Sequence, residues 1–430
     1  MLAILGFLMI IVFMILIMTG RLTAMIALIV VPITFAVIGG FGSEMGPMML
    51  DGIKSVAPTG IMILFAILFF GILIDAGVFD PIIQTILRLV KGDPVKIAIG
   101  PAVLALLISL DGDGTTTYMI TISAFLPLYK RIGMRPIVLA GIAVSASGVM
   151  NLLPWGGPTA RVMTALNLEM SEVFTPVIPA MIGGAIFVLL MAFMFGRQER
   201  KRIGVIEYDY ETAVQPAATV EDDSLKRPKL IIFNYALTII LLIALIMELL
   251  PPVTLFMLGF AIAITVNYPK LKDQKERIAN YADNALSVVS MVFAAGIFTG
   301  ILSGTAMVDA MANSVIHYIP DAMGSHFAVV TAILSAPFTF FMSNDAFYYG
   351  VLPLLAKAGA VYGIDPALIG RASLLGMPVH LLSPLVPSTY LLVGMVGEDF
   401  GTLQRIFLKW AFGSTIVMMI VCVVLGIFPL

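Results

Sequence analysis

PVKIAIGPAVLALLISL (residues 94–110), DGDGTTT (111–117) and YMITISAFLPLY (118–129) follow one another without interruption. Two apolar arms enclose two carboxylates and three hydroxyls, and the return arm runs straight into Lys130 and Arg131. That arrangement leaves no room for two separate crossings of a hydrocarbon core about 30 Å thick. It reads as a re-entrant hairpin with its tip inside the membrane rather than as a polar turn at the surface. Irregular backbone survives at that depth only where protein or a water-filled cavity satisfies it. Ionisable groups there cost roughly 2.5 to 3.5 kcal/mol each on insertion scales, which makes them functional by default. Glycines let the chain turn and let a ligand approach the backbone. Gly112, Gly114, Thr115, Thr116 and Thr117 are therefore candidate substrate-binding residues. Asp111 and Asp113 are candidate metal ligands or proton carriers.

The rest of the chain supports a membrane setting. Of 430 residues, 60% are hydrophobic and 12% charged, with a mean hydropathy of +1.06; soluble domains carry about 25% charged residues. A water-soluble enzyme is excluded, and no enzymatic activity or permanently bound cofactor is expected. Apolar blocks of helix-spanning length, such as LIALIVVPITFAVIGG, lack the short alternation of a transmembrane barrel. The fold class is all-α and polytopic. The net charge of −2 offers no basic surface for nucleic acid. Cys422 is alone, which excludes an intramolecular disulfide and a cysteine-based metal site. The run 2–18 lacks a charged leader and a cleavage motif, so it reads as the first span rather than a signal peptide.

Ten spans are predicted, at 2–18, 22–41, 58–76, 136–168, 173–196, 229–250, 253–268, 284–304, 366–397 and 403–428. The segments 94–129 and 325–357 are the two hairpins, the second interrupted by Ser343-Asn344-Asp345. With 197–229 inside, 20 of the 24 Lys and Arg residues fall on the inner side, Lys91 among them, while Lys54 and Lys357 fall outside. Both termini then face out of the cell membrane, and 197–228 is a cytoplasmic linker by composition. A shift of about 229 residues superimposes the halves: Phe69-x-Gly71-Ile72-Leu73 with Asp80 matches Phe298-x-Gly300-Ile301-Leu302 with Asp309. Shifting by 230 pairs Pro154 with Pro384 and Thr159 with Thr389. Five spans per half is an odd number, so the second half must insert upside down. Inverted repeats are a common architecture of secondary transporters, with sites where broken helices meet near the midplane.

Two such breaks are visible. In Asn151-Leu152-Leu153-Pro154-Trp155-Gly156-Gly157-Pro158-Thr159, two prolines and two glycines interrupt the fourth span. Unwound carbonyls and a new helix N-terminus result, suited to cations and anions respectively. Asn151, Gly156, Gly157 and Thr159 are candidate binding residues. Arg161 either takes a carboxylate in bidentate fashion or snorkels to the outer interface near Glu169 and Glu172. In the second half, Ser343, Asn344 and Asp345 form the other tip, beside Phe347, Tyr348 and Tyr349. Ser383-Pro384-Leu385-Val386-Pro387-Ser388-Thr389 breaks the ninth span, adding Ser388 and Thr389. His380 is a proton carrier or, by slight preference, a hydrogen-bonded core residue; His317 and His326, in predicted outer loops, receive no role. The 28 Met and 27 Phe read as packing or lipid-facing residues.

Two soluble readings of Asp-x-Asp-Gly-Thr fail on context. A calcium loop needs Gly at its sixth position and Glu at its twelfth, where this chain has Thr116 and Ile122. A haloacid-dehalogenase-like phosphatase needs a soluble α/β domain that cannot be drawn here. An ion channel would need a continuous polar pore face, which two symmetric broken elements do not supply.

SLDGDGTTTYMIT, NLLPWGGPTAR and SNDAFYYG resemble the citrate–metal:proton symporters, the CitMHS family of the ion transporter superfamily, and the likeness extends over essentially the whole chain. The resemblance implies proton-driven uptake of citrate as a complex with a divalent cation of magnesium or calcium type, in a homodimer. It also implies a transport domain (93–196 and 323–430) moving like an elevator against a scaffold (1–92 and 229–322). The binding loops it implies are Asp111–Thr117, Pro154–Thr159, Ser343–Asp345 and Pro384–Thr389. Sodium-coupled relatives carry Ser-Asn-Thr at both tips. Here Asp111, Asp113 and Asp345 add carboxylates that suit a hard divalent cation or a titrating proton carrier, with Asp113 ranked first for the metal by its position beside the hydroxyls. A carrier of free carboxylate or gluconate-type anions, coupled to protons or sodium, is the alternative.

Overall fold

The computed structural model describes residues 1–90, 92–205, 223–316, 324 and 326–429. Lys91, most of the linker, His317 and the expected 322/323 domain boundary lie outside the described residues. Among the described residues there is no strand. Apolar side chains of the outermost helices stay exposed at helical spacing, as Ile182, Ile186, Leu190 and Phe193 do, and such a surface fits lipid rather than water. The chain is a multi-pass membrane protein.

One succession of helices occurs twice. In the first half it runs α1 (Leu2–Met18), α2 (Ala24–Ile38), a long α3 (Met45–Asp75) and a short α4 (Asp80–Val90). The hairpin arms α5 (Pro94–Ile108) and α6 (Gly114–Ile132) follow, then α7 (Pro136–Met150), a break, α8 (Gly157–Leu166), the single turn α9 (Met170–Val173) and α10 (Ile178–Ile203). The second half repeats the order with α11 (Ile231–Ile246), α12 (Pro252–Asn267), a long α13 (Leu271–Gly304) and a short α14 (Met307–Ile316). Its hairpin is α15 (Phe327–Phe341), a π-helical turn (Ala346–Val351) and α16 (Leu352–Val361). The broken helix is α17 (Pro366–Ser373) with α18 (Met377–His380) before the gap and α19 (Pro387–Val396) after it, and α20 (Phe400–Val424) closes the chain.

Helices α3 and α13 cross closely because glycines line the crossing. Gly296, Gly300 and Gly304 recur every fourth residue, and a Cβ on Gly52 would run into the Gly296 carbonyl while one on Gly300 would run into that of Met48. Backbone approach of this kind drives helix association where lipid removes the hydrophobic contribution.

Several expected boundaries move. The spans placed at 58–76 and 284–304 begin 13 residues earlier, at Met45 and Leu271. The added segments, with Asp51 and Lys54 in α3 and Lys272, Asp273, Lys275, Glu276 and Arg277 in α13, continue the helix instead of forming loops. α4 and α14 lie outside the expected spans and hairpins, and α4 carries Ile82, Ile83, Ile86 and Leu87 against the core. Six described helices are long and apolar enough to cross a membrane alone; one is the hairpin arm Pro94–Asp111, so five of the ten expected spans are met by a single such helix. The fourth and ninth spans are divided by their breaks, and others, including α1 and α2, are shorter than 18 residues.

Candidate functional site

The first tip is ordered by its own aspartates. Asp113 caps α6: Oδ1 accepts from Thr115 N at 3.1 Å, and Oδ2 accepts from Thr116 N at 3.0 Å and from Thr116 Oγ1 at 2.6 Å. An aspartate at this position satisfies N–H groups that the helix itself leaves unpaired. Asp111, 8% exposed, accepts from Asp113 N through Oδ1 at 2.8 Å, and its Oδ2 has no hydrogen-bond partner among the described residues. Between them Gly112 has φ +82°, the left-handed conformation that glycine adopts without strain. Thr117 donates to the Asp113 carbonyl at 2.9 Å and lies 3.0 Å from Ser109 Oγ, so its hydroxyl is structural.

Each break is closed by a threonine. Thr159 Oγ1 donates to Leu152 O at 2.6 Å, and Thr389 Oγ1 donates to Leu381 O at 2.6 Å. Trp155, inside the first break, donates from Nε1 to Leu110 O at 2.8 Å and so joins the break to the first tip. Its ring packs 5.5 Å from Phe70 of α3 and 5.0 Å from Phe256 of α12. In the second half Ser383 Oγ donates to Phe340 O at 2.6 Å, and His380 Nδ1 donates to Thr339 O at 2.6 Å. The second tip is capped more lightly, Ser343 Oγ accepting from Ala346 N at 3.2 Å.

Arg161 reaches across the halves. Its Nε lies 2.7 Å from Asp345 Oδ1, and the two side chains are 20% and 14% exposed. The snorkelling alternative therefore does not hold, since the guanidinium pairs with a half-buried carboxylate of the other half. Asp345 in turn stands with Arg161 rather than with Asp111 and Asp113. Among the described residues no three His, Cys, Asp or Glu side chains come together as a metal-holding group.

Tips and breaks open on one cavity of about 420 Å³, within the ordinary range for a small-molecule site. Of the expected residues, Asp111, Gly112, Asp113, Gly114, Thr116, Asn151, Gly157, Arg161, Asn344 and Ser388 line it. Thr115, Thr117, Gly156, Thr159, Ser343, Asp345 and Thr389 do not; they cap, close or support the lining segments. The sequence reading placed Tyr349 at the second tip without a role, and it missed Ser147 and a whole wall to which α3 gives Ile67, Phe70, Gly71 and Ile74 and α13 gives Tyr281, Asn284, Ser287 and Met291. The spacing of Tyr281, Asn284, Ser287 and Met291, three or four residues apart, marks one helix face, a signal present in the sequence. Tyr281 donates to Asp75 Oδ1 at 2.8 Å, and Arg277 Nη1 lies 3.1 Å from Asp75 Oδ2, so this wall is held in place. His380 also lines the cavity.

Counting Asp111, Asp113, Asp345 and Arg161 as ionised gives the site a net charge of −2. Arg161 offers donors for a carboxylate, while the first tip offers carboxylate oxygen. The arrangement can hold an anion on one side and a cation on the other.

Comparison with known proteins gives the family. The family model described as citrate transporter, CitMHS, matches residues 2–376. A protein of Bacillus subtilis (strain 168) named citrate transporter is 65% identical over 427 residues, covering 99% of each chain. Another from that organism, named Mg(2+)/citrate complex secondary transporter, is 52% identical over 428 residues with the same coverage. Among solved structures, the YdaH transporter of Alcanivorax borkumensis superimposes with a TM-score of 0.65 at 15% identity, covering 90% of this chain and 89% of that one. MtrF of Neisseria gonorrhoeae gives 0.60 at 14% identity, covering 90% and 85%. At those identities the two structures speak for the fold alone. A family of transporters, not enzymes, is what matches along nearly the whole length, and the chain belongs to the citrate transporter family.

Proposed function

We propose that this protein is a secondary active transporter that imports citrate as a divalent-metal complex in symport with protons. The observation that carries the reading is the shared cavity, where carboxylates from one tip face Arg161 and Asn344. With Asp111, Asp113 and Asp345 ionised, free trivalent citrate would meet a site at −2, and at 4 Å with an effective dielectric constant near 20 each like-charge contact costs roughly 4 kcal/mol. A divalent cation held by citrate and touching the tip removes most of that repulsion. With no three-ligand cluster among the described residues, the cation is best held by the substrate's own carboxylates. The named Mg(2+)/citrate relative supports magnesium as one such cation. Asp111, with an oxygen not used in capping, suits the contact better than Asp113, reversing the order expected from sequence.

The inverted architecture is supported by charge placement. Asp80 pairs with Lys226 at 3.0 Å, whereas its repeat mate Asp309 pairs with Lys357 at 2.9 Å; the two lysines belong to the expected inner and outer sets. On this reading 1–92 and 229–322 form a scaffold, and 93–196 and 323–430 form a transport domain that carries the site past the α3–α13 wall as an elevator. Two copies form a homodimer in the cell (inner) membrane with both termini outside and the linker in the cytoplasm.

Uptake of labelled citrate into proteoliposomes, with a panel of divalent metals and an imposed pH gradient, tests the proposal. Saturable uptake that needs a metal, shows counterflow and accelerates when protons flow inward is expected. Equal uptake in excess chelator would remove the metal complex from the reading; indifference to the pH gradient would remove the protons; non-saturating flux without counterflow would indicate a channel.

A further inference from the structure

Arg161 is only half committed. Of its five N–H donors, Nε alone is engaged, by Asp345, among the described residues. The guanidinium lies over Gly157, where a Cβ would stand 2.7 Å from Nη1, so glycine at 157 leaves the room the group occupies. With Nε fixed, the Nη1/Nη2 edge is left for a planar, bidentate partner, and a carboxylate fits it. Four residues beyond Asp345, Tyr349 is wholly buried on the π-helical turn, which packs against α8, and it lines the same cavity as Arg161. Its hydroxyl has no hydrogen-bond partner among the described residues, and neither does Asn344 Oδ1 at the same tip. Buried polar atoms without partners are rare and costly, and π-helical turns recur at functional sites.

The geometry points to a carboxylate seat in which Asp345 aims the Arg161 fork and Tyr349 donates its hydroxyl to the same bound carboxylate. Tyr349 is thereby a substrate-contacting residue, and Asp345 a positioning residue rather than a metal ligand or proton carrier. Asp345 also balances the guanidinium when no substrate is present, which removing a partner from a buried pair would forfeit. The inference rests on reading this cavity as the substrate site.

The test is magnesium citrate uptake by the purified full-length protein in proteoliposomes, with KM and maximal rate measured separately. Removing an orphaned hydroxyl is neutral or stabilising for the fold, so Tyr349→Phe is expected to keep its thermal stability while KM rises about tenfold or more at little-changed maximal rate. Asp345→Asn is expected to raise KM similarly, to leave the order of metal preference and the pH profile as in wild type, and to combine less than additively with Arg161→Lys. Asp345→Glu, which keeps the charge, should recover part of the affinity. An unchanged KM in Tyr349→Phe overturns the seat; a changed metal order, or exchange without accumulation, in Asp345→Asn overturns the positioning role. Should wild type prefer citrate without metal, the metal complex fails but the same KM comparisons decide the seat on free citrate. Absence of saturable citrate uptake by wild type overturns both.

Discussion

Replacing Asp111 by asparagine removes one charge from the cavity while keeping its shape. The asparagine carbonyl can still accept the 2.8 Å bond from Asp113 N, so the tip should keep its conformation. Where Asp111 is ionised, the site moves from −2 to −1. A like-charge contact at 4 Å costs roughly 4 kcal/mol at an effective dielectric constant near 20, which is an upper figure because the cavity admits water. If between a quarter and a half survives screening, about 1 to 2 kcal/mol of discrimination against free citrate is lost, or roughly 5- to 30-fold. Loss of an oxygen ligand from the metal face acts in the same direction by weakening the complex. The quantity to measure is the ratio of kcat/KM for magnesium citrate to that for citrate in excess chelator, in the same vesicles. We expect it to fall by at least about fivefold. A ratio within twofold of wild type, in a variant that still transports, would refute the argument that tip charge selects the metal-bound form.

Three further outcomes follow from the same geometry. Arg161→Lys keeps the charge but loses the planar fork, so apparent citrate affinity should fall about tenfold without abolishing transport; unchanged affinity in Arg161→Ala would remove Arg161 from the substrate site. Ser55 of α3 and Asn167 at the end of α8 are hydrogen-bonded across the proposed scaffold and transport domains, so oxidising a Ser55→Cys, Asn167→Cys double variant should stop transport until reductant is added; transport through the cross-linked protein would sink the elevator. Glu199 is fully buried, lies 2.5 Å from Arg135 Nε and also pairs with Arg202. Glu199→Ala should cost about 2 kcal/mol and lower the melting temperature in detergent without shifting KM; a KM shift at unchanged stability would contradict its purely structural role.

Much of this was legible because membrane insertion penalises polar residues in apolar runs. DGDGTTT, the Pro-Gly breaks and Ser343–Asp345 could be picked out by eye for that reason, and all open on or support one cavity. The Arg161–Asp345 pair was not legible, since 184 residues separate partners that only the tertiary fold unites. The α3–α13 wall was hidden for another reason. Tyr281 and Asn284 sit beside Lys275, Arg277 and Asp283, and that density of polar groups reads as a loop when a helix in fact continues. The Gly296, Gly300 and Gly304 spacing, small residues four apart as at helix crossings in lipid, was a further signal that went unread. The roles of Thr117, Thr159 and Thr389 could not be separated from ligand contact, because a threonine that binds a substrate and one that binds a carbonyl look alike in sequence.

Trp155 fastens the first tip to its own broken helix, and Ser383 with His380 fastens the second hairpin arm to its break. Neither tip can therefore swing out as a private lid without breaking such bonds, at about 1 kcal/mol net each. The rate of turnover would then belong to one collective displacement, of the kind that takes microseconds to milliseconds or longer, rather than to two hinges beating separately. Substrates of different size would share a common temperature dependence, and single-molecule records would show two dwell levels with no third level for a half-open tip.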